Sequence, residues 1–84
     1  MTEKLQAKLK DLPKEPGVYF HKDASGQIIY IGKAAVLRNR VRQYFQVSRH
    51  RDPKTEALVL DIADTEWTVV DSELEALFLE AEMI

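Results

Sequence analysis

The tripeptides Gly17-Val18-Tyr19 and Tyr30-Ile31-Gly32 flank a run of turn formers, Asp23-Ala24-Ser25-Gly26, and this arrangement predicts a β-hairpin. With Lys22 facing Gln27 across the turn, the pairs are His21 with Ile28, Phe20 with Ile29, Tyr19 with Tyr30 and Val18 with Ile31. Side chains alternate faces along a strand, so Val18, Phe20, Ile29 and Ile31 form one apolar face. Tyr19 and Tyr30 stand side by side on the other, where His21 joins them. A slip of one residue would bury a tyrosine and expose two isoleucines, so the pattern specifies the register. Two phenols held together, with a glycine beside each, read either as a site or as paired aromatic residues at a sheet edge.

The remaining elements follow from caps and periodicity. Thr2 to Leu12 reads as a first helix capped by Thr2, with Leu5, Leu9 and Leu12 on one side and Pro13 and Pro16 ending it. Val36 to Phe45 places Leu37, Val41, Tyr44 and Phe45 at helical spacing. A polar loop from Gln46 to Arg51 leads to Asp52-Pro53, an N-cap followed by proline at the first helical position, and a third helix to about Ala63. Thr65 to Val70 reads as a third strand. Ser72-Glu73-Leu74-Glu75 has the spacing of a capping box and opens a last helix. The order α-β-β-α-α-β-α predicts a small α+β domain, a mainly antiparallel three-stranded sheet flanked by helices.

A chain of 84 residues makes one domain, here residues 1–84, with a modest core. The absence of cysteine excludes disulfides and thiolate zinc sites. No apolar run is long enough to cross a bilayer, and the start lacks the pattern of a signal peptide, so a cytoplasmic protein is expected. The net charge of −2 conceals an asymmetry. From Ala24 to Arg51 the charged residues are Lys33, Arg38, Arg40, Arg42, Arg49 and Arg51, with no carboxylate; from Thr55 to Ile84 there are nine carboxylates and no cation. A basic stretch that includes tyrosines suits a phosphate backbone, or else pairs with the acidic half.

Helical geometry sorts these charges. At 100° per residue Arg40 falls beside Tyr44 on one flank of its helix, whereas Arg38 and Arg42 share the opposite flank. Arg40 is thereby placed either to hold a phosphate bidentately or to snorkel over apolar surface. On the last helix Leu74, Leu77, Phe78, Ala81 and Ile84 form the main stripe, and Ala76, Leu79 and Met83 a second one. Glu80 lies between the stripes. A carboxylate flanked by apolar residues needs a partner, either a cation or a metal, and magnesium suits a single carboxylate near a phosphate. His21 shares the tyrosine face and is suited to a supporting role; His50 sits in a basic loop. Two separated histidines do not make a metal centre.

Four ordered blocks resemble the GIY-YIG nucleases, and most closely the branch that serves bacterial nucleotide excision repair. They are Glu15-Pro16-Gly17-Val18-Tyr19, Tyr30-Ile31-Gly32-Lys33-Ala34, Leu37 to Phe45 and Glu75 to Ile84. The resemblance implies an endonuclease that makes the incision 3′ to a DNA lesion. It places Tyr19 and Tyr30 in the active site, with Lys33 as the motif lysine, Arg40 on the cleaved phosphate and Glu80 on one magnesium or manganese ion. Tyr44 matches an aromatic position near the site. Lys33, Arg38, Arg42 and Tyr44 are expected to contact DNA. The implied partners are damaged double-stranded DNA and UvrB in the UvrA-loaded complex.

Departures from the family pattern lie at the end of the chain. Glu82 and Met83 stand where asparagine and leucine are usual, and a later asparagine that completes the family's site is absent, which suggests an N-terminal fragment of a longer protein. A phenol ionising near pH 10 is a poor base, so the site has to favour the phenolate. Tyr30, adjoining Lys33, is preferred as the base, and Tyr19 is the alternative. The competing readings are a stand-alone or exonuclease-fused nuclease of the same family and a non-catalytic nucleic-acid-binding module.

Overall fold

Pro13 and Pro16 separate a leucine-bearing first helix from the hairpin, and this break sets how the first helix returns to the sheet. The computed structural model describes residues 3–46 and 52–84. Its elements are α1 (Glu3–Lys10), β1 (Gly17–Lys22), β2 (Ile28–Ala34), α2 (Leu37–Gln43), α3 (Pro53–Asp61), β3 (Asp64–Val69) and α4 (Glu73–Met83). The sheet order is β2-β1-β3, with both pairings antiparallel. The α-β-β-α-α-β-α order is therefore as expected. Thr2, the expected cap of α1, and the basic loop residues Arg49, His50 and Arg51 lie outside the described residues.

The turn forms as its residues dictate. Asp23 Oδ1 accepts hydrogen bonds from the Ser25 and Gln27 amides, and Gly26 adopts a left-handed φ of 87°. The register differs from the expected one by two residues. Tyr19 pairs with Gly32, Phe20 with Ile31 and His21 with Tyr30, and a bulge follows His21, where Lys22 pairs with Ile28. An even shift keeps Tyr19, His21 and Tyr30 on one face, but Ile29, unpaired at the bulge and expected beside Val18, Phe20 and Ile31, packs against the core cluster that includes Tyr19. The neighbour changes too: Tyr19 lies opposite a glycine rather than opposite Tyr30.

Burial also departs from the sequence pattern. Leu5, Leu9, Leu12, Leu37, Val41 and Ile62 cover the tyrosine face, so Tyr19 joins the main core cluster. His21 and Thr65 are fully buried as well. Val18 and Ala76, both buried, stand apart from that cluster, while Phe20 and Ile31 are only half-buried. Two faces of β1 are thus occupied, and the one bearing the phenols holds more of the core.

Both helix caps form. Asp52 accepts from the Thr55 amide at 2.6 Å with Pro53 opening α3, and Ser72 Oγ accepts from the Glu75 amide. Glu75 Oε2 accepts from the Asp71 amide, one residue before the cap. Helix α4 packs across β1 and β2, but not through its expected main stripe. Leu74, Leu77, Phe78 and Ile84 are exposed, and Ala76 is the residue that α4 buries. The small Ala76 allows close approach to the sheet. Glu80, one turn farther along, is carried inward with it.

Candidate active site

Gly32 explains how the tyrosines come together. A side chain at Gly32 would collide with the ring and hydroxyl of Tyr19, which lie directly over it. The Tyr19 ring thereby crosses β2 and reaches Tyr44 at the end of α2. The two hydroxyl oxygens are 2.8 Å apart in a hydrogen bond. Tyr30 completes the triangle, with its ring centroid 6.2 Å from Tyr19 and 6.0 Å from Tyr44. Tyr30 is 41% exposed, whereas Tyr19 is 2% exposed. One phenol of the cluster therefore meets solvent freely.

Burial decides the ionisation of the enclosed phenols. It pushes the Tyr19 phenol above its ordinary value, helped by the charges of Tyr30 and Glu80; the hydrogen bond to Tyr44 and the nearby Arg40 pull the other way without prevailing. Tyr44 is pushed up as well, first by burial and then by its hydrogen bond to Tyr19. Both remain protonated near neutral pH. Burial thus works against a phenolate at Tyr19.

Arg40 and Lys33 are exposed and line one cleft with Ala34, Ala35, Glu73, Leu74, Ala76 and Leu77, a space of about 410 Å³. The helix geometry separated Arg40 from Arg38 and Arg42, and the structure separates them too. Arg38 Nε donates to the Leu12 carbonyl at 2.8 Å, and Arg42 donates through Nε and Nη2 to the Leu9 carbonyl. These carbonyls lie in and just beyond the last turn of α1, where cations are favoured. Both arginines, expected to contact DNA, fasten α1 to α2 through these bonds. Tyr44, also expected at a DNA surface, is half-buried within the tyrosine cluster.

Glu80 is half-buried and near enough to Tyr19 to act on its charge, and it forms no ion pair among the described residues. A lone carboxylate of this kind fits a magnesium ion that keeps most of its waters. No group of three metal-ligating side chains occurs among the described residues. The sequence reading did not single out Thr65, whose Oγ1 lies 2.8 Å from His21 Nδ1. Only the strand alternation, which set His21 beside the tyrosines, pointed toward this pair.

Fold and cluster together define the class. The chain belongs to the UvrC-like GIY-YIG domain family, which it matches over residues 15–84. It is 55% identical over 80 residues to UvrABC system protein C of Ruminiclostridium cellulolyticum, a match covering 95% of this chain and 13% of that protein. UvrABC system protein C of Clostridium beijerinckii is 54% identical over 79 residues, covering 94% and 13%. The chain thus spans 13% of the length of these relatives. The fold matches the crystal structure of the GIY-YIG N-terminal endonuclease domain of UvrC from Thermotoga maritima bound to magnesium, its catalytic divalent cation. The TM-score is 0.84 at 40% identity, covering 100% of this chain and 90% of that one.

Proposed function

We propose that this domain hydrolyses a DNA phosphodiester with the aid of one divalent metal ion, magnesium or manganese, and makes the incision 3′ to a lesion in bacterial nucleotide excision repair. The observation that carries the proposal is the convergence of a solvent-facing phenol (Tyr30), two cations on one cleft (Lys33 and Arg40) and a carboxylate with no ion pair among the described residues (Glu80) around the hydrogen-bonded Tyr19–Tyr44 pair.

Each residue then has a task suited to its surroundings. Tyr30 Oη takes the proton of the attacking water, since it is the phenol that faces solvent whereas Tyr19 is enclosed. Arg40 binds the non-bridging oxygens of the scissile phosphate, where negative charge grows in the transition state. Lys33, across the same cleft, holds the adjacent backbone. Glu80 holds the metal ion, which supplies charge compensation for the leaving 3′ oxygen. Tyr19 and Tyr44, joined by their shared hydrogen bond, keep the base in place. The substrate is damaged duplex DNA and the partner is UvrB in the UvrA-loaded complex, in the cytoplasm; no helix among the described residues is long and apolar enough to cross a membrane.

A soak of the domain with manganese tests the metal assignment. Anomalous density at Glu80 is expected, and density only at a remote carboxylate would overturn it.

A further inference from the structure

His21 is fully buried, yet only half of its hydrogen-bonding capacity is used. Nδ1 meets Thr65 Oγ1 at 2.8 Å, while Nε2 is buried without a partner among the described residues. An unpaired buried ring nitrogen is costly, and a leucine or phenylalanine would fill the same space without that cost. The surroundings explain the residue. The imidazole contacts all three tyrosines: its centroid is 4.7 Å from Tyr44 in an edge-on arrangement, 6.1 Å from Tyr30 in a stacked one and 5.3 Å from Tyr19. It is also the strand partner of Tyr30 on β2 and of Thr65 on β3.

We propose that His21, anchored by Thr65, is a positioning residue that fixes the Tyr30 and Tyr44 rings, and through them the phenol that acts on the attacking water. The Thr65 bond sets the rotation of the imidazole plane; the plane sets the stacking of Tyr30 and the edge contact with Tyr44. β3 contributes no other part of the site, so this bond is how the far strand of the sheet reaches the chemistry. The proposal rests on the assignment of Tyr30 as base, and it adds two residues outside that assignment.

The test uses the native gene product that carries this domain, with Thr65→Val, Thr65→Ser and His21→Phe. Thr65→Val is isosteric and suits a strand but removes the hydroxyl; Thr65→Ser keeps it; His21→Phe keeps a ring but not Nδ1. Thr65→Val and His21→Phe are expected to lower kcat at least ~10-fold with KM within about twofold, since small displacements at a reacting centre cost this much or more. Thr65→Ser restores kcat. Nuclear Overhauser contacts between the Tyr30 and Tyr44 rings in the 84-residue chain weaken in Thr65→Val and return in Thr65→Ser. Unchanged kcat in both altered proteins, or an equal loss in Thr65→Ser, overturns the proposal. If the unaltered protein does not cleave DNA, the nuclease reading fails, and the ring contacts alone decide the positioning role: unchanged contacts in Thr65→Val refute it.

Discussion

The hydroxyl oxygens of Tyr19 and Tyr44 lie 2.8 Å apart, so the central strand and the end of α2 are joined by a hydrogen bond inside the candidate site. Removing either hydroxyl leaves the other without this partner in a partly desolvated place. Tyr19→Phe and Tyr44→Phe should each cost about 1 kcal/mol of stability, and the double variant little more than either alone. Urea unfolding of the four proteins measures the coupling; full additivity would show that the bond contributes nothing.

Gly32 is required by the ring that crosses it. Gly32→Ala places a methyl group where the Tyr19 ring and hydroxyl now lie. The ring has to move, and overpacking of this kind costs on the order of 1–3 kcal/mol. The displacement should also break the Tyr19–Tyr44 bond, so Gly32→Ala and Tyr44→Phe should not add. Near-ultraviolet circular dichroism, which reports tyrosine surroundings, should change together with the unfolding midpoint.

His21 makes stability depend on pH. Burial lowers its pKa from the ordinary 6.5 to about 4. Between these values the unfolded chain binds more protons than the folded one, so this contribution is complete above pH 6.5 and is lost as the pH falls toward 4. The loss is about 2 kcal/mol at pH 5. His21→Phe removes the titration, and the difference in unfolding free energy between the two proteins should shift by that amount from pH 7 to pH 5. A constant difference would mean that His21 is not held neutral by the fold.

Arg40 and Arg38 should fail in different ways. Arg40→Ala should leave the unfolding midpoint nearly unchanged and lower incision about 100- to 1000-fold, the usual cost of losing a transition-state contact. Arg38→Ala should destabilise the domain by on the order of 1 kcal/mol, because the Leu12 carbonyl loses its donor, while incision by the folded protein persists. Equal effects on incision would reject this division.

How far the sequence discloses this arrangement depends on whether a feature is local. Caps at Asp52 and Ser72, the turn at Asp23 and the element order are set by neighbouring residues, and all of them form as read. The flank position of Arg40 is likewise a matter of helical angle, and the structure turns it to the cleft. The hairpin register depends on a bulge after His21, which no local signal marks. On α4 the larger apolar stripe would be expected to pack inward, yet Ala76 decides the contact through its small size. The carbonyls near the end of α1 that hold Arg38 and Arg42 are distant in the chain and invisible in sequence.

The central claim is that Glu80 holds the metal ion on which phosphodiester cleavage depends. Glu80→Gln keeps size and hydrogen bonding but removes the charge a divalent ion requires. The direct measurement is incision of a lesion-bearing duplex by the native protein and its Glu80→Gln variant across a magnesium titration. The account predicts that the variant folds, binds DNA and makes no incision 3′ to the lesion at any magnesium concentration. Incision by Glu80→Gln with the unaltered protein's magnesium dependence would contradict it.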